Sequence, residues 1–411
     1  MSKQNIKNPI NSIVIVAALG YFVDIYDLIL FGIVRTPSLR AIGVPDDQLL
    51  DVGIYLFNMQ MTGMLLGGIL WGVMGDKKGR LSTLFGTILL YSLANIANGF
   101  VVNVPQYAWM RFLAGVGLAG ELGVGITLVS EVMTKETRGY GTMIVSGVGI
   151  GGAAFAYMVK EKFDWQAAYW VGGAMGLVLL VLRVIVSESG MFEKIKKHDI
   201  SKGNFLMLFT NRKRFLKYLY CILIGIPVWF VVGILVVFSP EFAQKVFGIS
   251  EPIDGGEALM YHYIGASIGS FVTGYISQYY RSRKKSLAIS LLALTVTIVW
   301  YFLSAGSSAI MFYIVIFVMG VAMGYWAVFI TAASEQFGTN LRATVTTTVP
   351  NFVRGSLVPM TLFFQFLKGD NMIGMQYAGY LIAAVVMVLA FLSLYKMDET
   401  YHKDLDYVES V

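Results

Sequence analysis

The 411-residue chain has few of the residues from which soluble enzymes and metal sites are built. Only 14% of its residues are charged, against about 25% in an ordinary soluble domain, whereas 56% are hydrophobic and the mean hydropathy is +0.67. The single cysteine, Cys221, excludes an intrachain disulfide, and the three scattered histidines have no metal-ligand spacing. The sequence has no glycine-rich phosphate-binding loop, so an ATP-driven pump is not expected. These shortages point away from an enzyme and towards a polytopic helical membrane protein.

Long apolar segments follow one another along the whole chain, and each is long enough for a membrane-spanning helix, which needs about 20 mostly apolar residues. They lie near residues 12–34, 51–74, 83–102, 106–132, 139–159, 166–187, 217–240, 255–278, 287–305, 308–332, 342–367 and 375–396. We therefore predict an all-α membrane protein with twelve transmembrane helices in two pseudo-symmetric six-helix bundles. The predicted domains are an N-terminal bundle over 1–190, a linker loop over 191–216, a C-terminal bundle over 217–397 and a tail over 398–411.

Lysine and arginine are distributed unevenly over the predicted loops. Most of the 31 basic residues fall in loops on the side of the membrane that also holds both termini. Because cytoplasmic loops carry the excess of lysine and arginine, both termini are expected in the cytoplasm. The net charge of +6 is then a consequence of topology, so a lipid bilayer and a small-molecule substrate are the expected partners, and nucleic acid is not. We expect the monomer to be functional.

The two predicted bundles repeat the same pattern at a nearly constant offset. The segment 72–80 after the second span has the same order of glycine, polar and basic residues as 274–283 after the eighth. Glu131 follows a serine and precedes an arginine by seven residues, and Glu335 stands in the same context 204 residues later. Duplicated six-helix halves are a transporter architecture, in which the substrate site lies between the halves near the bilayer midplane.

These motifs resemble those of the major facilitator superfamily, and more closely its metabolite:proton symporter branch. The segment 72–80 resembles the family signature between helices 2 and 3, and the branch patterns of helices 1, 4, 6 and 10 are matched by 20–28, 111–123, 183–192 and 335–342. The resemblance covers nearly the whole chain. It implies a secondary transporter of the bacterial inner membrane that works by alternating access, uses the proton as coupling ion and needs no cofactor.

Two acids in the first span are the leading candidates for proton coupling. An ionisable group at membrane depth is costly in free energy, so its presence there indicates a function by default. Asp24 and Asp27 are three residues apart and therefore share one helical face. Two close carboxylates are rarely ionised together, so one of them is suited to taking and releasing a proton. The equivalent positions of the second half, 227–230, contain no acid. The alternative is that both acids have only a structural role.

Three further charges in predicted spans are candidates for the same site. By its match to the family motif, Arg111 is expected to face the central cavity and to act on a carboxylate there. Glu121 lies ten residues further on in a glycine-rich row and is also a proton-coupling candidate. Arg354 is a candidate anchor for an anionic or zwitterionic substrate, because the planar guanidinium binds a carboxylate bidentately. For each of them the alternative is a structural ion pair.

Polar and aromatic residues in the spans are weaker candidates for substrate binding, because such residues often only tie helices together or form interface belts. They are Tyr26, Asn58, Gln60, Asn95, Trp229, Tyr261, Asn351 and Trp326.

The resemblance also implies a network of charges at the cytoplasmic ends of the helices, which holds the outward-facing state and breaks on inward opening. Its candidate members are Asp76, Arg80, Glu131, Arg138, Glu335 and Arg342. The alternative is a set of solvated surface ion pairs of little energetic value. The duplicated spacing favours the gate, and such residues are expected to govern transport rate rather than substrate choice.

The predicted function is proton-coupled symport that imports a small anionic or zwitterionic metabolite. The alternative is a proton-driven exporter of a drug, siderophore or metabolite, because the acids of the first span serve either direction. The fifth span contains many glycines but no proline, which favours symport. Amino acids, betaine-like solutes, carboxylates, sugar-like compounds and siderophores all remain open as substrates.

Overall fold

A computed structural model gives the fold, and it describes residues 12–78, 80–120, 138–188, 205–369, 372–401, 403 and 409. Within these residues the chain is almost entirely helical and contains no β-strand. Eight of the described helical stretches are long and apolar enough to span a membrane by length and composition. Glu121 and Glu131 lie outside the described residues, as do the side chains of Asp76, Arg80 and Arg138.

Among the described residues, seven helices form the N-terminal bundle, and those that open a predicted span begin close to its predicted first residue. They are α1 (Ser12–Ala41), α2 (Leu49–Lys78), α3 (Arg80–Asn98), α4 (Val104–Leu118), α5 (Arg138–Ile150), α6 (Gly152–Lys162) and α7 (Trp165–Glu188). Helices α5 and α6 meet at Gly151 and together correspond to the single span predicted over 139–159. Helix α1 continues through Pro37 to Ala41, well past the predicted end at residue 34.

Among the described residues, eight helices of ten residues or more form the C-terminal bundle, and two of its predicted spans are each built from two consecutive helices. They are α8 (Arg212–Phe230), α9 (Gly255–Tyr279), α10 (Arg283–Phe302), α11 (Ala309–Met323), α12 (Trp326–Glu335), α13 (Thr339–Gly355), α14 (Leu357–Lys368) and α15 (Met372–Lys396). Helices α11 and α12 form one crossing, and so do α13 and α14. Helix α8 begins at Arg212, five residues before the predicted bundle boundary, because Asn211 caps its first turn.

The segment that follows α8 is irregular. It runs as a π-helix over Val231–Val236, a short helix over Ser239–Glu241 and a second π-helix over Phe242–Val246. Pro227 lies inside α8 just before it and removes one backbone donor from the helix. The end of the molecule at which this segment lies is called the far end here, and the end at which α1 begins and α15 ends is called the termini end.

The internal repeat of the sequence reappears in the helix packing. In the N-terminal bundle an added Cβ at Gly63 of α2 would collide with the backbone of Phe112 in α4. In the C-terminal bundle an added Cβ at Gly265 of α9 would collide in the same way with the backbone of Phe317 in α11. Glycine thus permits the same close helix approach at positions 202 residues apart. The two bundles are therefore built on one packing plan.

Candidate substrate and proton site

Four charged side chains are buried about midway along the helices that cross the molecule. They are Asp24 and Asp27 on α1, Arg111 on α4 and Arg354 at the end of α13, and each is at most 1% exposed. Burying an isolated charge is costly, so charged residues at such depth are normally paired. Two acids and two arginines balance to zero net charge. The structure thus brings together four of the residues predicted from the sequence.

Asp24 and Arg354 form an ion pair between the two bundles. Their closest atoms, Asp24 Oδ2 and Arg354 Nη2, are 3.8 Å apart, which is too long for a hydrogen bond. Arg354 Nη1 donates to Asn351 Oδ1 over 3.4 Å, whereas Arg354 Nε has no acceptor among the described residues. The guanidinium therefore keeps donor capacity for another acceptor, such as a carboxylate.

Aromatic rings line the space around Arg354. The guanidinium lies 5.9 Å from the ring centre of Trp326, on α12. Tyr21 of α1 and Tyr263 of α9 lie close enough to Arg354 to interact electrostatically with its charge. The Tyr21 hydroxyl also interacts with the side chain of Trp326. Sequence reasoning missed both tyrosines. Tyr21 precedes Asp24 by three residues and so shares its helical face, which was the available signal.

Asp27 and Arg111 form a second group, within the N-terminal bundle. The Arg111 guanidinium lies 5.7 Å from the ring centre of Phe31 and 5.6 Å from that of Tyr169. Neither oxygen of Asp27 and none of the three side-chain nitrogens of Arg111 has a hydrogen-bond partner among the described residues. The Asp27 carboxylate lies within reach of the charge of Arg111 and beside the amide of Asn95. A buried carboxylate with open acceptor positions is suited to binding a proton.

Gly172 of α7 gives the Asp27 carboxylate its room, and this permits a direct test. A Cβ added at Gly172 would collide with Asp27 Oδ1. Gly172→Ala is expected to lower proton-coupled uptake on the order of tenfold, because the carboxylate must move from its position. The matched control is Gly86→Ala on α3, where the added Cβ meets only the ring of Trp71 at 3.4 Å. Equal uptake rates for the two variants in reconstituted vesicles would disprove this role of Gly172.

Several weaker candidates tie the two bundles together near the site. Asn351 donates through Nδ2 to the carbonyl of Ala119, the residue directly after α4, over 2.7 Å. Asn58 of α2 accepts a hydrogen bond from the hydroxyl of Thr361 in α14 over 2.7 Å. The ring centre of Trp229 lies 6.5 Å from that of Phe57. These contacts would all have to change if the bundles moved against each other.

The remaining candidates make contacts within one bundle. Tyr26 donates through its hydroxyl to the carbonyl of Ala168 over 2.8 Å, and Gln60 donates to the carbonyl of Leu28 over 3.1 Å. Tyr261 packs its ring against Tyr313, with 5.4 Å between the ring centres. The structure therefore associates Tyr261 with the packing of α9 on α11, whereas Tyr26 and Asn95 lie next to Asp27.

At the termini end, Glu335 is held by an arginine that sequence reasoning did not select. Arg283 of α10 contacts Glu335 through two nitrogens, Nη2 to Oε1 at 3.1 Å and Nε to Oε2 at 3.2 Å. The hydroxyl of Thr400 donates to the same carboxylate over 2.8 Å. Arg342 donates to the backbone carbonyls of Ser334, in the last turn of α12, and of Phe337, between α12 and α13. The repeat offset could have identified Arg283, because it lies 203 residues after Arg80.

The C-terminal tail closes over this network. Glu399 accepts hydrogen bonds from the Ser282 hydroxyl and from the backbone N–H groups of Arg283 and Lys284, at the start of α10. Tyr401 lies with its ring centre 4.9 Å from the Arg283 guanidinium. Burial raises the pKa of Glu399, but the hydrogen bonds donated by Ser282 and Arg283 outweigh it and lower the pKa below its ordinary value of 4.5.

Glu399→Gln is expected to loosen the tail from α10. Because the pKa of Glu399 is lowered in the folded protein, its stabilising contribution is present above pH 4.5 and is lost as the pH falls through the lower folded value. Hydrogen exchange of the Arg283 and Lys284 amides should therefore accelerate severalfold in the variant at pH 7. The control is Glu161→Gln, which removes an exposed acid at the far end. Unchanged protection of these amides in Glu399→Gln would contradict the assignment.

Comparison with known proteins agrees with this architecture. Residues 17–358 match the family profile of the Major Facilitator Superfamily, and the chain therefore belongs to this family of transporters. The solved structure of the proton:xylose symporter XylE bound to 6-bromo-6-deoxy-D-glucose superimposes with a TM-score of 0.73 at 17% identity, covering 96% of this chain and 97% of that one. The predicted fold of twelve transmembrane helices in two pseudo-symmetric bundles is confirmed, as is the prediction of a transporter rather than an enzyme. Transporters of this family need no cofactor.

Two relatives have names that bear on the substrate. The putative niacin/nicotinamide transporter NiaP of Bacillus subtilis (strain 168) is 25% identical over 348 residues, which cover 82% of this chain and 84% of the relative. The gentisate transporter of Corynebacterium glutamicum is 24% identical over 411 residues, covering 93% of this chain and 88% of the relative. The chain is thus similar to metabolite transporters over most of its length.

Proposed function

We propose that the protein imports a small aromatic carboxylate together with a proton, across a bacterial inner membrane. The main support is the loose ion pair between Asp24 and Arg354, which lies between the bundles and leaves donor capacity on the arginine. A substrate carboxylate would bind the guanidinium, and the rings of Trp326, Tyr21 and Tyr263 would pack against an aromatic substrate.

The relatives support the aromatic carboxylate over the other substrate classes that the sequence leaves open. Gentisate, named for one relative, is an aromatic carboxylic acid, and so is niacin, which is named together with its amide nicotinamide for the other. A sugar has no carboxylate to bind the guanidinium of Arg354. A betaine has a carboxylate but no flat ring to pack against the aromatic side chains. The aromatic lining and the arginine would thus recognise the two ends of one molecule.

The charge balance of the site supports proton coupling. With Asp24, Asp27, Arg111 and Arg354 all ionised, the buried site is neutral. A substrate anion on Arg354 would compete with Asp24 for the guanidinium. It would also add one negative charge to the buried site, where an unbalanced charge is costly in free energy. One proton taken up by an acid of α1 restores neutrality. We therefore propose that one proton moves with each monocarboxylate. Asp27 is the leading carrier because Asp24 already pairs with Arg354, whereas no ion pair of comparable closeness is formed by Asp27 among the described residues.

The contacts at the termini end support a role in gating. The pair of Arg283 and Glu335, with the tail residues Thr400 and Tyr401, would hold α10, α12 and the tail together in one state of the cycle. The excess of basic residues in the loops at this end supports a cytoplasmic location for it, and hence for both termini.

A binding experiment on the purified protein tests the substrate class directly. Isothermal titration calorimetry would compare benzoate and nicotinate with their uncharged isosteres, benzamide and nicotinamide. Because Arg354 would make a charge-assisted contact to the carboxylate alone, the acids are expected to bind at least about tenfold more tightly. Equal affinity for acids and amides, or binding of xylose in preference to both, would refute the proposal of an aromatic carboxylate.

A further inference from the structure

A buried ion pair joins the two bundles at the far end. Arg35, near the end of α1, contacts Glu241, in the irregular segment after α8, with Nη2 and Oε1 2.7 Å apart. The two side chains are only 3% and 13% exposed. The predicted first span ended at residue 34, so the prediction left Arg35 outside the helix. The helix instead continues to Ala41 and carries Arg35 into the interface.

Arg35 also holds two further elements through its guanidinium. Nη1 donates to the carbonyl of Leu49 at the start of α2 over 3.3 Å, and Nη2 donates to the carbonyl of Val237 over 3.4 Å. The guanidinium lies 5.1 Å from the ring centre of Phe238. One side chain thereby connects α1, α2 and the segment that follows α8.

The segment that contains Glu241 departs from regular α-helical geometry. Glu241 lies between the π-helices Val231–Val236 and Phe242–Val246. Short π-helical stretches interrupt the regular hydrogen-bond ladder and are frequent at functional sites. Trp229, which packs against Phe57 of the other bundle, lies in the last turn of α8, directly before this segment. Movement at Glu241 is therefore connected along the chain to an aromatic contact between the bundles.

Two other ion pairs join the bundles at the far end, but they are more exposed. Lys160 and Asp254 are 3.3 Å apart at 18% and 46% exposure, and Lys368 and Asp51 are 3.6 Å apart at 20% and 56% exposure. Exposed pairs of this kind contribute little, whereas breaking a buried pair is strongly unfavourable.

We propose that Arg35 and Glu241 form the far-end lock: the contact that closes the molecule at this end and must separate before the substrate path opens there. When the pair separates, the irregular segment 231–246 bends away from α1 and α2, and the bundles part at the far end. The lock acts on the conformational equilibrium and touches no substrate. It is therefore independent of which molecule is carried and of the direction of transport.

Distance measurements in lipid nanodiscs test the lock without any substrate. Spin labels would be attached to cysteines introduced at Gln48 and Ser250, which are exposed at the far end of the two bundles, in a Cys221→Ala background. Glu241→Gln is expected to raise the ratio of long to short label distances on the order of tenfold, because it removes the charge from a buried ion pair. The matched control is Asp46→Asn, which removes one partner of the Arg40–Asp46 pair, exposed by 58% and 72% at the same end.

A charge-reversed pair guards against a folding artefact. Arg35→Glu is expected to increase the long distances, and adding Glu241→Arg to it is expected to return the distribution towards that of the parent. Equal distributions for Glu241→Gln and Asp46→Asn would overturn the lock, and so would a double variant that stays as open as Arg35→Glu alone. Because the readout is a distance, a failure here leaves the proposed substrate and proton site standing.

Discussion

Replacing Arg354 by alanine is expected to abolish high-affinity substrate binding and transport. The variant removes the arginine that pairs with Asp24 across the two bundles, together with its contact to Asn351. A charge-assisted contact of this kind contributes about 1.5–3 kcal/mol, so binding should weaken by at least about tenfold. Calorimetric titration with benzoate measures the loss, and exchange of labelled substrate across vesicles measures transport.

Two variants separate a specific role of Arg354 from a loss of folding. Arg354→Lys keeps the charge but loses the planar fork, so it is expected to bind the carboxylate with intermediate affinity. Arg40→Ala removes an arginine that is exposed at the far end and should leave binding unchanged. Full binding and transport in Arg354→Ala would exclude it as the substrate anchor.

Replacing Asp27 by asparagine is expected to uncouple substrate movement from the proton gradient. The side chain keeps its shape but can no longer take up and release a proton. Gradient-driven accumulation should disappear, whereas exchange of substrate between the two sides should continue, because exchange requires no net proton movement. The measurement compares accumulation and exchange in the same vesicles.

The matched control for Asp27 is Asp51→Asn, which removes an exposed acid from the far end of α2. It should leave both accumulation and exchange close to the parent. If Asp27→Asn accumulates substrate as well as this control, the proton is carried elsewhere, and Asp24 becomes the leading acid.

The fold could be predicted from the sequence because both of its main signals, the hydropathy and the internal repeat, extend over whole helices. Apolar runs of about 20 residues mark the spans directly, and the glycines at 63 and 265 show that the repeat extends to the packing. The ends of the helices were less predictable. Pro37 does not stop α1, which continues to Ala41; Ser38 and Leu39 are buried in this last part, where Tyr107 of α4 donates to the hydroxyl of Ser38.

The members of the buried charge site were predictable, but their pairing was not. A charge in an apolar span stands out in the sequence, as Asp24 and Arg354 do. That these two meet depends on how two bundles pack, and nothing local in the sequence encodes a contact between residues 330 positions apart. Tyr21 and Tyr263 were missed for another reason, because one tyrosine among 23 carries little signal.

The pairing of Glu335 with Arg283 could be predicted from the sequence only in part. The repeat offset relates Arg283 to Arg80, so the residue was within reach of the sequence pattern. The contacts of Glu335 with Thr400 and of Arg283 with Tyr401 were not, because no local pattern in the sequence relates the tail to α10 and α12. Arg35 was missed because α1 ends about two helical turns beyond the predicted boundary at residue 34, which places the arginine in an interface rather than in a loop.

Uptake into proteoliposomes under an imposed inward proton gradient tests the proposed symport most directly. Labelled benzoate, nicotinate and gentisate would be supplied outside, with and without the gradient, and with the membrane potential clamped at different values. We expect accumulation that requires the proton gradient, is insensitive to the potential because one proton accompanies one anion, and is lost in Asp27→Asn. Accumulation that ignores the proton gradient, or export of preloaded substrate when protons are supplied on the opposite side, would contradict proton-coupled import.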